Sequence, residues 1–213
     1  MRLSRDAGRG SRFGNLGYIL GLVATLPILI LFLDGSVRAY ILSVQDQGGV
    51  AVARWVSAGG YGLVNGAVAL ALMVAGLILK RPKETLAGRV GLFAVIGGGL
   101  SAQVFKHLLC RSRPMTEGAG QFFSVFPCLS ESYRMTSFPS GHSVTSFALA
   151  YVLSLTYPKG SPVFYGLATT VALSRVYLAS HFLSDVVGGA ALGLFAGWVV
   201  CRLAVLPLAN GRS

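Results

Sequence analysis

Residues 134–157 read RMTSFPSGHSVTSFALAYVLSLTY, a polar cluster ending in Pro139-Ser140-Gly141-His142 that runs straight into an apolar segment. Such a segment behaves as membrane filling, so a proline, a serine, a glycine and one of only three histidines at its mouth need a reason. The chain as a whole supports the membrane reading. Of its 213 residues 54% are hydrophobic and 12% charged, and the mean hydropathy is +0.67, too apolar for a soluble domain of this size. We expect a polytopic membrane protein that is all-α, with one domain over 1–213 because the apolar segments leave only short connections.

A spanning helix needs about 20 mostly apolar residues. Six stretches qualify: 16–33, 57–79, 90–109, 141–157, 162–179 and 184–206. The residues before the second, GGVAVARWVSAGGYG, read equally as an interfacial helix anchored by Trp55 or as part of a long tilted span. Arg2, Arg5, Arg9 and Arg12 precede the first, as in a signal sequence, but the apolar run is long for one and no clean cleavage site follows. Gly189, Gly193 and Gly197, each four residues apart, predict close helix–helix contact in the last span. The connection 110–140 is too polar to lie in lipid and must cap the bundle or line a cavity.

The formal charge of +11 would suggest nucleic acid in a soluble protein, but here it fits topology and anionic head groups, so no nucleic-acid partner is expected. With six spans and the N-terminus inside, the inner segments hold Arg2, Arg5, Arg9, Arg12, Lys80, Arg81, Lys83, Arg89, Lys159, Arg202 and Arg212. The outer segments hold Arg38, Arg54, Lys106, Arg111, Arg113, Arg134 and Arg175, so the bias is eleven to seven for this orientation.

That layout gathers three polar clusters on the outer face: Lys106 with Arg113-Pro114, then Pro139-Ser140-Gly141-His142, then Ser174-Arg175 with His181 and Asp185. Lys106, Arg113 and Arg175 suit the spread charge of a phosphoryl group. The start of the fourth span offers free backbone N–H groups and the positive end of a helix dipole; Gly141 permits close approach, and Ser140 either caps the helix or donates its hydroxyl. His181 and Asp185, four apart, share a helix face, so the carboxylate can hold one ring nitrogen as N–H and leave the other's lone pair outward. This is the arrangement of an activated nucleophile.

The three clusters resemble the type-2 phosphatidic acid phosphatase superfamily, with the pattern K-x6-RP, PSGH and SR-x5-H-x3-D met at every defined position between 106 and 185. The resemblance implies a membrane lipid phosphatase in which His181 attacks phosphorus, Asp185 orients it, and His142 protonates the leaving oxygen and then activates water. Lys106, Arg113, Ser140, Gly141 and Arg175 would bind the phosphoryl oxygens. No cofactor and no metal is needed in such a mechanism. The implied partner is a phosphorylated lipid in a bacterial inner membrane, the site facing the periplasm, with undecaprenyl diphosphate favoured over phosphatidylglycerol phosphate, phosphatidic acid and lipid A phosphates. A lipid phosphotransferase, or a non-catalytic phospholipid-binding or transport protein, stays open as the alternative.

Other residues have plainer readings. His107 matches no motif position and points away from Lys106 on a helix. Arg111 and Arg134 read as solvated loop charges or head-group contacts. Cys110 and Cys128 are open to either a disulfide or two free thiols, Cys201 reads as core, and the aromatic run QFFSVF reads as membrane anchoring or as a guide for a lipid tail.

Overall fold

The computed structural model describes residues 11–210 apart from 124, 125, 127 and 129–132. Arg2, Arg5, Arg9 and Arg212, used above for topology, and Ser124 and Val125 of the aromatic run lie outside the described residues.

Among the described residues the chain is helical, without strands. Helix α1 (Ser11–Ile28) widens after Pro27 into a π turn, Leu29–Leu33, and continues as α2 (Asp34–Val44). A proline removes an amide donor from the helical ladder, a recognised cause of such local widening. Asp46 caps α3 (Gln47–Ala58) by accepting from Gly49 N at 2.6 Å, and a short turn leads to α4 (Gly62–Ile78). Pro82 opens α5 (Pro82–Leu109), and Cys110, in the left-handed conformation at φ 45°, ends it. After the long connection come α6 (Gly141–Thr156), α7 (Ser161–Tyr177) and α8 (Leu183–Asn210).

The six predicted apolar stretches are helical with different limits, except that the turn at 59–61 divides the second between two helices. The first helix line runs unbroken to Val44 and α5 begins at Pro82, because helix continues past the point where apolar character stops. Among the described residues three helices are long and apolar enough to cross a bilayer alone: Leu16–Val44, Pro82–Leu109 and Leu183–Ala204. Helices α3 and α4, bent by 44° at their junction, make a fourth if taken as one broken span. Helices α6 and α7 have 16 and 17 residues, short of a full crossing by length alone. Trp55 is 83% exposed on α3, which fits an interfacial helix and a lipid-facing span alike.

Helix α6 is the axis of the bundle, packed by α5, α7 and α8 and buried on most faces. Helix α8 reaches it through the predicted glycines. A Cβ on Gly189 would stand 2.7 Å from Ser140 O, one on Gly193 3.0 Å from Ala148 N, and one on Gly197 2.9 Å from Tyr151 Cβ. Only hydrogen at these positions lets the two backbones touch. Large apolar side chains such as Leu31, Phe32, Leu63 and Leu100 face outward, as in a bundle solvated by lipid tails.

Candidate active site

The close contact of α6 and α8 brings the start of both helices to one end of the bundle, where α5 also finishes. All eight predicted site residues converge there. Lys106 lies in the last turn of α5, and a Cβ on Gly141 would be 3.7 Å from its Nζ, so ammonium and glycine face each other. Ser140 precedes α6, its N–H donating to Asp185 O at 3.0 Å, which ties the helix entry to the carboxylate residue itself. Its hydroxyl does not cap the helix; Oγ is buried without a hydrogen-bond partner.

Arg113 is 4% exposed and held on several edges. It donates to Tyr133 O at 2.6 Å, Thr136 O at 3.2 Å and Ser180 O at 2.8 Å, and it lies over the Tyr133 ring at 3.5 Å. Nη1 also stands 3.3 Å from His181 Nε2. A guanidinium only donates, so Nε2 is the acceptor there and the ring proton of neutral His181 sits on Nδ1. Nδ1 faces Asp185 Oδ2 at 3.5 Å, a polar contact too long to count as a formed hydrogen bond.

Asp185 is fully buried and heavily committed: Oδ1 accepts from Arg111 at 2.5 Å, and Oδ2 accepts from Ser137 Oγ at 2.5 Å and Phe182 N at 2.8 Å. Burial, with Arg113 as a further contributor, pushes the His181 pKa down to about 4, against the opposing pull of Asp185. Burial also lowers Arg113 to about 10, which leaves it charged at neutral pH. The nucleophile candidate is therefore a neutral imidazole whose lone pair points at a fixed cation.

Arg175, on α7, donates through Nη1 to Ser57 Oγ of α3 at 2.7 Å, while its Nε is buried without a partner. His142 packs against the Tyr61 ring at 4.7 Å, with Nε2 also buried and unpartnered. His142, Lys106, Arg113, Arg175 and His181 lie close enough to act electrostatically on one another. Unpartnered polar atoms gathered among cations suit a multiply charged anion.

Several surrounding residues escaped the sequence reading. Arg111 is no solvated loop charge: it is 1% exposed and bridges Asp185 to Asp34 of α2. Hydropathy treats a loop arginine as wet; the available signal was Asp34, an acid abutting an apolar span. Arg134 is exposed, as expected of a loop charge. His107 turns from the site, donating from Nδ1 to Cys128 O at 3.1 Å. Cys110 and Cys128 form a disulfide that staples the connecting loop to the end of α5, and Cys201 is a free thiol in α8. Among the described residues no three His, Cys, Asp or Glu side chains gather as a metal site.

Known proteins share this plan. The family model of the PAP2 superfamily matches residues 88–206, a stretch that encloses all eight residues. A lipid A 1-phosphatase of Rhizobium johnstonii is 35% identical over 101 residues, 47% of this chain and 41% of that protein, so the chain spans under half of its length. The decaprenylphosphoryl-5-phosphoribose phosphatase of Mycobacterium tuberculosis is 31% identical over 160 residues, covering 74% of this chain and 81% of the other. The crystal structure of a transmembrane PAP2 type phosphatidylglycerolphosphate phosphatase from Bacillus subtilis shares the fold, with a TM-score of 0.62 at 24% identity over 91% of this chain and 98% of that one.

Proposed function

The chain belongs to the PAP2 superfamily, and on that premise we propose that it is an integral-membrane lipid phosphatase acting through a phosphohistidine at His181. The observation that carries the proposal is the set of buried, unpartnered polar atoms Ser140 Oγ, His142 Nε2 and Arg175 Nε around the cations. Buried donors without partners cost stability unless a ligand completes them. A phosphoryl group does so for all three.

His181 Nε2 forms a bond to phosphorus as the bond to the lipid oxygen breaks, and Asp185 supports the positive charge that grows on the ring. His142 gives a proton to the leaving oxygen. In the second step it takes one from water, whose oxygen attacks phosphorus, releasing phosphate and restoring His181. Lys106, Arg113, Arg175, Ser140 and the Gly141 N–H hold the three equatorial oxygens, in which negative charge redistributes during transfer. No metal takes part in this scheme.

We place the site on the periplasmic side of a bacterial inner membrane, with six crossings in which α6 and α7 complete the count. The Cys110–Cys128 disulfide at the site's end supports that side, because disulfides persist in oxidising compartments. The substrate is a lipid with an accessible terminal phosphate. Undecaprenyl diphosphate stays a candidate, and the relatives' names put lipid A phosphates and phosphatidylglycerol phosphate beside it.

The test is phosphate release by purified protein in detergent with a chelator, across undecaprenyl diphosphate, phosphatidylglycerol phosphate, phosphatidic acid and a lipid A phosphate. Release that survives chelation and vanishes in His181→Ala supports the reading. No release from any of these by folded protein counts against it, and phosphate moved onto another acceptor would make the chain a phosphotransferase.

A further inference from the structure

Only seven acidic side chains occur in 213 residues, and two of them are buried on one arginine that stands at an undefined position of the first motif. Arg111 reaches Asp185 Oδ1 through Nη1 at 2.5 Å and Asp34 Oδ2 through Nη2 at 2.7 Å. Its guanidinium lies 4.7 Å from the Phe122 ring and 4.4 Å from the Phe182 ring, so aromatic surface covers it and its edges are left for the carboxylates. Its own carbonyl accepts from Ser137 N at 3.0 Å, and the Ser137 hydroxyl donates to the other oxygen of Asp185. Asp34 stands where the π turn of the first helix line ends, outside the 88–206 stretch that matches the family. It also accepts from Ser184 N at 3.0 Å and Ser184 Oγ at 2.5 Å, gripping the residue next to Asp185.

We propose that Arg111 and Asp34 are positioning residues for phosphoryl transfer to His181, a role that rests on the phosphatase reading above. Arg111 ties Asp185 Oδ1, which turns Oδ2 toward His181 Nδ1. Asp34 sets the charge. Arg111 paired with Asp185 alone would cancel most of the carboxylate's field at the imidazole a few ångströms away, whereas two carboxylates on one guanidinium leave a net negative charge behind the ring. That charge steadies the imidazole as Nε2 bonds to phosphorus and becomes positive. The first helix line thus completes a site whose reacting groups all come from the family-matched segment.

The experiment measures steady-state kinetics of the full chain in detergent for Asp34→Asn, Arg111→Lys and Arg111→Met, and for Asp34→Asn combined with Asp185→Asn. Asparagine keeps the shape and the acceptor for Ser184 N while removing the charge. The expected result is a kcat about 10- to 100-fold lower with KM within about twofold, partial recovery in Arg111→Lys over Arg111→Met, and no added loss from Asp34→Asn once Asp185 is Asn. An unchanged kcat, the same added loss in both backgrounds, or activity falling only in step with the folded fraction overturns the proposal. Nitrogen-15 NMR of the three histidines gives a second readout that needs no turnover. His181 should hold its proton on Nδ1 in the parent and become a mixture of tautomers in Asp34→Asn and Arg111→Met; an unchanged tautomer in folded variants overturns the proposal. If the parent hydrolyses no lipid, the phosphatase reading fails and this arm still decides the positioning role.

Discussion

His181 lies in the bend before α8 and Asp185 in the first turn of that helix, so the two do not share a helix face as their spacing suggested. Nδ1 nonetheless stands 3.5 Å from Oδ2, and the opposite ring nitrogen faces Arg113 Nη1 at 3.3 Å. The imidazole is thereby held between an acceptor and a donor, and its orientation follows from the chemistry of both neighbours. The lone pair of Nε2 occupies the side where the cations lie.

Replacing Asp185 with Asn keeps the shape but offers His181 no negative charge and leaves Arg111 with a single carboxylate. We expect kcat to fall by about 10²- to 10⁴-fold, with KM little changed, as when an orienting carboxylate is lost from a histidine-centred site. Steady-state kinetics on the preferred lipid check this. A loss confined to KM would mean that Asp185 acts in binding.

Burial, reinforced by Arg113, favours the neutral form of His181 and sets its pKa at about 4. A second ring proton, on Nε2, should therefore be absent throughout the neutral range and be gained only as pH falls toward 4. Following the His181 ring nitrogens by NMR between pH 3.5 and 8 reads this directly. A midpoint near the ordinary value of about 6.5 would place the ring in a solvated setting.

Gly193 lies against the backbone of α6, where a side chain would meet Ala148 N at 3.0 Å and Phe147 Cβ at 3.1 Å. Gly193→Leu should destabilise the protein by at least about 1–3 kcal/mol, as overpacking does. Gly97, within α5, has nothing within 4 Å of a built Cβ, so Gly97→Ala should be neutral or stabilise by up to about 1 kcal/mol through helix propensity. Thermal unfolding in detergent compares the two.

The disulfide closes a loop of 18 residues in sequence separation. Chain-entropy reasoning gives it about 3 kcal/mol of stabilisation. A reductant should lower the unfolding temperature of the parent and leave that of Cys110→Ser/Cys128→Ser unchanged. Equal unfolding temperatures with and without reductant in the parent would contradict the account.

The candidate site was legible because charged and polar groups at the ends of apolar helices have few other residues competing for notice. Lys106, Arg113, His142, Arg175, His181 and Asp185 stand out against their surroundings for that reason. Asp34 and Arg111 did not, since each looks like an ordinary helix-end charge until the fold buries one on the other. The Gly189, Gly193 and Gly197 spacing marked a close helix–helix contact without naming its partner, which is α6, and helix limits were less visible: α5 begins at Pro82, before its apolar run, because backbone hydrogen bonding continues through polar residues. The sequence left α3 open as an interfacial helix or as part of a long span; the structure separates it from α4 by a 44° bend at a turn where Gly60 lies against His142 and Val171, a tertiary contact that local sequence does not encode.

The central claim is that His181 becomes covalently bonded to phosphorus. Rapid acid-free quench of the enzyme mixed with a lipid radiolabelled in its terminal phosphate, followed by peptide mapping, tests it most directly. The account predicts an acid-labile, base-stable phosphoryl group on the peptide that contains His181, present in the parent and missing in His181→Ala. Label on another residue, or full turnover by His181→Ala, would contradict it.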